Sequence, residues 1–150
     1  MSRNSTIDIR ILDEGDAEAV ARLSTELGYP TDAGAVALRI RRILQHPDHT
    51  AFVVVEDDQP IGWLHLFVNY PIESAPCAEI AGLVVAETRR GNGIGGQLMD
   101  TAKQWARDRA LESLRVRCQV RRHDAHRFYR TSGFTETKIQ KMFTLSLTRR

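Results

Sequence analysis

The stretch that most constrains the fold runs from residue 79 to residue 96, where an apolar segment, a glycine-rich turn and a helical pattern follow one another. Residues 80–86 are short, apolar and bounded by charge, which is typical of a buried strand. Four glycines then fall within six residues, and apolar side chains at helical spacing begin at Ile94. Glycine lets a backbone approach a ligand closely, and the free N–H groups at a helix start attract an anion. The stretch therefore predicts a phosphate-binding loop.

Two common loops of this kind do not match. The chain has no Gly-x-x-x-x-Gly-Lys-Ser/Thr segment, which argues against a Walker-type nucleotide site. Gly91-Asn-Gly93 lies past the middle of the chain with no second βαβ half after it, so a dinucleotide-binding fold fits poorly. A glycine-rich turn without a ligand is the remaining alternative.

The run Arg90-Gly-Asn-Gly93-Ile-Gly95 resembles the Arg/Gln-x-x-Gly-x-Gly/Ala signature of the GNAT superfamily of N-acetyltransferases. The resemblance implies acetyl-CoA as co-substrate, with its pyrophosphate on this loop. The implied loop residues are Arg90, Gly91, Asn92, Gly93, Ile94, Gly95 and Gly96. Backbone groups of Leu83, Val84 and Val85 are expected to pair with the pantetheine arm as an added strand would.

A second run, Ala125-His-Arg-Phe128-Tyr129-Arg-Thr-Ser-Gly133-Phe134, is similar to another signature of the family. It implies that Tyr129 protonates the leaving thiolate, while Phe128 packs inward and belongs to the cofactor site. Arg122 stands where many members carry an asparagine that contacts the pantetheine arm. That contact is open here, and an arginine in this place can reach a phosphate instead.

Glu79 is the candidate base. An alkyl ammonium group has a pKa of about 10.4, so only about one amine in a few thousand is nucleophilic at neutral pH and a proton acceptor is needed. Family members often carry a glutamate on this strand that acts through water; the alternative is that Glu79 only marks the exposed start of the strand. Strict alternation would place Glu79, Ala81 and Leu83 on one face, whereas the bulge common in the family would break that parity.

Composition narrows the class of protein. With 150 residues, of which 42% are hydrophobic and 27% charged, the chain is expected to form one domain over residues 1–150. The net charge of +2 argues against a nucleic-acid binder, and no apolar run approaches the roughly 20 residues that cross a bilayer. The N-terminus has no apolar signal segment, and Cys77 and Cys118 form no metal pattern, so we expect a cytoplasmic protein with thiols and no metal.

The sequence contains five histidines, for which different positions are expected. His46 and His49 flank a proline turn and are expected at the surface, whereas His65 lies in a predicted strand and can face the substrate cleft. His123 and His126, beside Asp124, are interpreted as exposed histidines next to a helix cap rather than as a metal site.

Hydrophobic periodicity predicts the order β-α-α-β-β-β-α-β-α-β-β. The first strand contains Ile7, Ile9 and Ile11, and Asp32 is a candidate N-cap of the second helix. A hairpin follows over residues 51–56 and 61–69, and a further strand alternates from residue 114 to residue 121. Asp124 is a candidate N-cap of the last helix, whose start can instead lie one or two residues earlier. Two closing strands are predicted over 134–138 and 142–147, giving an α/β fold with a mixed sheet and helices on both faces, as in the GNAT fold.

The amine acceptor is the least constrained element. Residues 121–129 resemble the corresponding run of aminoalkylphosphonate N-acetyltransferases, and Lys138 and Lys141 favour a small or anionic amine over a polycation. We therefore expect direct transfer of an acetyl group to a small primary amine, by a homodimer with neither nucleic-acid nor membrane partners. Aminoglycoside acceptors, protein or peptide acceptors, and a module that binds acetyl-CoA without turnover are the alternatives.

Overall fold

The computed structural model describes residues 6–148. Within it the chain forms two compact units, one ending at Arg117 and one beginning at Cys118. None of the helices in the described range has the length and apolar character needed to span a membrane.

The first unit is a five-stranded sheet with three α-helices. Its elements are β1 (Ile7–Ile11), α1 (Ala17–Glu26), α2 (Ala33–Gln45), β2 (His49–Glu56), β3 (Gln59–Asn69), β4 (Cys77–Val85), α3 (Ile94–Asp108) and β5 (Leu114–Val116). The strands lie in chain order across the sheet, antiparallel except for the parallel pair β4 and β5. The crossover between the parallel strands is α3, as the need to return the chain requires. This part of the predicted element order is confirmed.

Local signals in the sequence account for the joints between these elements. The Asp32 side chain accepts a hydrogen bond of 2.9 Å from the backbone N–H of Ala35, so it caps α2 as predicted. Asp57 and Asp58 both have positive φ, 48° and 65°, which is the type I′ turn that suits the twist of a two-residue hairpin. The turn sets the pairing of Glu56 with Gln59, and a register shift between Val54 and Val55 sets the pairing of the rest of the hairpin.

Helices cover both faces of the sheet. On one face α1 and α2 pack over Ala51 and Val53, with Trp63 at the edge of this cluster. On the other face, a Cβ placed on Gly62 would lie 3.5 Å from Leu98 of α3. The buried leucines of β3 therefore alternate with Trp63, His65 and Phe67, which project to the α2 side.

A bulge divides β4 into two halves. Leu66 pairs with Ile80 but His65 pairs with Gly82, so Ala81 is an extra residue on β4. Beyond this point the face that carries Glu79 continues with Gly82 and Val84 instead of Ala81 and Leu83. The bulge expected from the family resemblance is confirmed, and strict alternation is wrong here.

The second unit contains one helix, α4 (His123–Thr131), within the residues described. The strands predicted over 134–138 and 142–147 are wrong, because these residues adopt no regular secondary structure. Met142, Phe143, Leu145 and Leu147 are between 81% and 92% exposed. A strand exists only when its backbone pairs with a neighbour, so apolar alternation alone did not suffice.

Of the two boundaries near the junction of the units, one differs from prediction. β5 ends at Val116 rather than near residue 121, and Val120 is 61% exposed. α4 begins at His123, with Arg122 at its N-cap position and no side-chain cap, so the earlier of the predicted starts is confirmed. Asp124 forms an ion pair with Arg127 one turn later instead.

Candidate active site

The glycine loop before α3 has the backbone that the sequence predicted. Gly91 and Gly93 have φ of 83° and 80°, values that residues with a Cβ rarely adopt. Gly93 is the N-cap of α3, and no side chain caps the helix. The first N–H groups of α3 are therefore available to an external acceptor. Cβ atoms placed on Gly91, Gly93 or Gly96 would meet nothing within 4 Å, so the loop faces open space. These features fit a phosphate group at the positive end of the helix dipole.

β4 has a free edge immediately before this loop. β5 pairs only with residues 78–80 of β4, whereas β4 continues to Val85. In the described sheet, the edge of β4 beyond Ile80 therefore has no strand neighbour on the β5 side. Ala81 is exposed there, and Leu83 and Val85 are half-buried. Such an edge presents backbone donors and acceptors to an extended ligand, as the sequence interpretation of Leu83, Val84 and Val85 requires.

Glu79 is buried at the point where β5 leaves the sheet. The residue is 6% exposed, so it is not the solvent-facing start of a strand. Its Oε1 accepts a hydrogen bond of 3.1 Å from Nε of Arg117, whose side chain is 62% exposed. A buried carboxylate needs such a partner to offset the hydrogen bonds with water that it loses on burial. A carboxylate has about four acceptor sites, so Glu79 retains capacity for a water or an amine.

Cross-strand register places a row of functional side chains beside Glu79. Phe67 pairs with His49 on one side and Glu79 on the other, and Glu79 pairs in turn with Arg115. Paired residues share a face of the sheet, and His65 lies on the same face two residues before Phe67. One face therefore presents a carboxylate, guanidinium groups, an aromatic ring and imidazoles.

The histidines of this face form a contact that sequence reasoning missed. Nδ1 of His49 and Nε2 of His65 are 3.0 Å apart, and the His49 ring stacks on Phe67 with centroids 5.2 Å apart. His49 is half-buried, so it is less exposed than predicted, while His46 is exposed as predicted. Burial, reinforced by the neighbouring His49, lowers the pKa of His65 to about 4. Burial and the nearby His46 also lower the pKa of His49.

Trp63 closes one side of this surface. A Cβ placed on Gly82 would lie 2.6 Å from the Trp63 ring, so only glycine fits beneath the indole. Among the described residues, the indole N–H of Trp63 is the buried side-chain donor that lacks an acceptor. An unsatisfied buried donor costs about 1–3 kcal/mol, which a bound acceptor atom would recover.

In the second unit, α4 positions Tyr129 within a cluster of aromatic rings. The Tyr129 ring contacts Phe128 and Phe134 edge to face, with centroids 5.4 and 5.7 Å apart. Burial raises the pKa of the Tyr129 phenol, the Cys118 thiol adds to the rise, and Arg122 opposes it. The hydroxyl therefore keeps its proton at neutral pH and is able to donate it.

Two contacts to the carbonyl oxygen of Gln119 hold the segment before α4. The ring Nε2 of His126 lies 2.8 Å from the carbonyl oxygen of Gln119, and the N–H of Arg122 donates to the same carbonyl at 3.1 Å. His123 is exposed. No group of three potential metal ligands converges anywhere in residues 6–148.

Comparison with known proteins decides the family. The family model described as Acetyltransferase (GNAT) family matches residues 17–134, most of the chain and parts of both units. The chain belongs to the GNAT acetyltransferase family. Members of this family are N-acetyltransferases with acetyl-CoA as co-substrate, so the predicted enzyme class and co-substrate are confirmed at the level of the family.

Individual relatives differ in their acceptors. The chain is 30% identical over 96 residues to an aminoalkylphosphonate N-acetyltransferase of Salmonella typhimurium, a match that covers 63% of this chain and 61% of that protein. It is 38% identical over 58 residues to a streptothricin acetyltransferase of Escherichia coli, covering 39% of this chain and 33% of that one. The first match thus spans about three fifths of that relative's length.

The fold is shared with solved structures. An aminoglycoside N-acetyltransferase in complex with CoA superposes with a TM-score of 0.84 at 20% identity, covering 99% of both chains. At that identity the likeness establishes the fold, and the predicted fold class is confirmed.

Proposed function

We propose that this chain transfers the acetyl group of acetyl-CoA directly to the primary amine of a small molecule. The observation that carries the proposal is a buried carboxylate, Glu79, at the place where β5 leaves β4. The free edge of β4 and the glycine loop follow within the next 17 residues of the chain, through Gly96. Pantetheine on that edge and pyrophosphate on the loop bring a thioester toward Glu79.

The reaction needs a proton acceptor for the amine, a donor for the thiolate and dipoles for the developing oxyanion. We assign the first role to Glu79 acting through water, since one of its oxygens is held by Arg117. Backbone N–H groups of β4 serve the oxyanion. Tyr129 is the proposed acid, because its phenol stays protonated and its motif matches that of the family. Phe128 and Arg122 are proposed to contact the cofactor, with Arg122 reaching a phosphate.

The acceptor that we favour is a small amine that also carries an anionic group. Glu79 attracts the ammonium group, and Arg115 is its register partner on the same face. Guanidinium groups suit phosphonate and carboxylate oxygens. The relative that acts on aminoalkylphosphonates shares this sequence at 30% identity, whereas the aminoglycoside enzymes share the fold at 20%. Aminoglycosides remain the second candidate.

A thiol-release assay tests this assignment. Acetyl-CoA is mixed with the enzyme and each of four acceptors: aminomethylphosphonate, ethylamine, an aminoglycoside and a lysine peptide. We expect aminomethylphosphonate to give the highest kcat/KM, and Arg115→Gln to remove most of its advantage over ethylamine. A higher kcat/KM with the aminoglycoside than with aminomethylphosphonate would contradict the proposed acceptor. The absence of thiol release with every amine would contradict the proposed acetyltransferase activity.

We also propose that the protein is cytoplasmic and forms a homodimer. The location is supported by Cys77 and Cys118, which are both free thiols in the structure.

The homodimer is supported by the exposed apolar side chains near the C-terminus, such as Phe143 at 89% exposure, which a second copy of the chain would cover. Light scattering of the purified chain at several concentrations should give the mass of two copies. The mass of one copy at every concentration would contradict the homodimer.

A further inference from the structure

Three imidazoles form a file on the α2 side of the sheet, beside the proposed base. His65 lies in β3, His49 begins β2, and His46 follows the end of α2. His65 and His49 share a ring-nitrogen contact of 3.0 Å, and the rings of His49 and His46 meet edge to face with centroids 4.7 Å apart. Burial decreases along the file, since His65 and His49 are half-buried and His46 is exposed.

The inner end of the file adjoins Glu79. Phe67 pairs with Glu79 and His65 lies two residues from Phe67 on the same face, so His65 and Glu79 are diagonal neighbours. The Cβ atoms of diagonal neighbours are at most roughly 7–8 Å apart. Proton transfer from Glu79 to His65 therefore requires a water between the two side chains. The opposite position on β4 is Gly82, whose missing side chain is replaced by the Trp63 ring. The ring shields His65 from that side.

Acetyl transfer to an ammonium group releases a proton that must leave this buried place. The nitrogen passes from three bound protons to one, the sulfur takes one proton as the thiolate leaves, and the other goes to bulk water. Glu79 receives the first proton but must return to the carboxylate before the next turnover. Its hydrogen-bonded partner, the Arg117 guanidinium, offers only donors and cannot take this proton.

We propose that His65, His49 and His46 form a proton relay that carries the proton from Glu79 to solvent; the inference rests on the proposed function. In the conducting arrangement, Nε2–H of His65 donates to Nδ1 of His49. A proton arriving at Nδ1 of His65 displaces the Nε2 proton onto His49, which then releases its own Nε2 proton toward His46 and water. After the transfer both rings carry their proton on Nδ1 instead of Nε2. They return to the first arrangement by ring rotation or by proton exchange with water.

The surroundings suit conduction rather than storage of a proton. Both half-buried rings have a lowered pKa, mainly through burial, so neither retains a proton at neutral pH. The charged and titratable groups that contacts and register place around the file are Asp48 with its partner Tyr70, Glu79 with its partner Arg117, and Arg115 on β5. At rest, Nδ1 of His46 accepts from the N–H of Asp48 at 3.1 Å and Nε2 carries the proton. A proton that His49 passes to Nδ1 of His46 replaces this hydrogen bond, and His46 then releases its Nε2 proton to water.

Kinetics of single-histidine variants test the relay. We expect His65→Gln and His49→Gln to lower kcat with acetyl-CoA and aminomethylphosphonate about 10- to 100-fold, with little change in KM for acetyl-CoA. Free imidazole in the buffer should restore part of the lost rate by carrying the proton directly. His123→Gln, an exposed histidine of the second unit, is the matched control and should behave like the wild type.

The outcomes separate the relay from the proposed function. If the wild type releases no thiol with any amine of the panel, the proposed function fails and the relay with it. If the wild type is active and both variants keep its kcat, the relay is wrong but the proposed acetyltransferase activity is not affected. The same conclusion follows if imidazole restores the rate of neither variant. A merely structural pair would lower stability without imidazole rescue. Nitrogen NMR of labelled histidine adds a direct check: Nδ1 of both His65 and His49 protonated at neutral pH would also overturn it.

Discussion

The sheet around β4 and the C-terminal segment have similar sequence patterns but different structures. In β3, Leu64 and Leu66 alternate with polar or aromatic side chains and are fully buried. In the last 14 described residues, 135–148, apolar side chains also recur at alternate positions, yet Leu145 and Leu147 are more than 80% exposed and form no strand. The difference teaches that alternation specifies a strand only where a neighbouring backbone is available to pair with it.

The largest expected effect comes from the sheet region. Glu79→Gln should lower kcat about 10²- to 10⁴-fold at neutral pH, because the amide cannot accept the amine proton. The loss should shrink at high pH, where free amine is already present. A pH–rate profile measured with the best acceptor checks this, with exposed Glu112→Gln as the control. A profile with the same shape as that of the wild type would remove Glu79 from the mechanism.

A matched pair of leucines measures the structural contrast itself. Leu66→Ala should lower the free energy of unfolding by about 2–5 kcal/mol, since Leu66 is fully buried in the sheet. Leu145→Ala should change it by about 0.5 kcal/mol or less, since that side chain is 81% exposed. Urea unfolding of both variants at low protein concentration gives the two values. Equal losses would mean that the C-terminal segment is as well packed in solution as the sheet.

The imidazole pair makes the sheet sensitive to acid. Folded His65 takes a proton only near pH 4, whereas an unfolded histidine does so near pH 6.5. The unfolded chain therefore binds more protons between these values, so stability is complete above pH 6.5 and falls as the pH drops toward 4. The loss should reach at most about 3 kcal/mol. His65→Gln should flatten this part of the stability curve, and an unchanged slope in that variant would assign the acid sensitivity to other groups.

Tyr129 tests the second unit. Tyr129→Phe keeps the ring contacts with Phe128 and Phe134 and deletes only the hydroxyl. Turnover should fall on the order of 10²-fold while acetyl-CoA affinity stays the same, because the phenol acts when charge develops on sulfur. Steady-state kinetics and calorimetry together decide. A higher KM for acetyl-CoA at unchanged kcat would make Tyr129 a binding residue instead.

Much of the first unit was predictable from local signals. The helix N-cap at Asp32, the hairpin turn after β2 and the helix start at Gly93 each follow from residues close together in sequence. The helices on both faces follow from apolar periodicity and the need for a crossover between parallel strands. The family resemblance supplied the bulge, which alternation by itself contradicts.

The rest depends on contacts that sequence spacing does not encode. Glu79 meets Arg117 across 38 residues, and His49 meets His65 across 16. The first contact needs the register of β4 with β5, and the second needs the register of β2 with β3. The prediction of two closing strands was wrong for the same reason. The sequence shows which residues favour a strand but not whether a partner edge is present.

Glycine substitutions test the central claim, that the glycine loop after β4 binds acetyl-CoA. Gly93 and Gly28 both have positive φ, 80° and 96°, and a Cβ placed on either glycine would meet nothing within 4 Å. Valine at either position therefore imposes similar backbone strain, but only Gly93 lies in the loop. Calorimetric titration with acetyl-CoA should show affinity lost in Gly93→Val and kept in Gly28→Val. Equal acetyl-CoA affinity in Gly93→Val and the wild type would show that the loop is not the cofactor site.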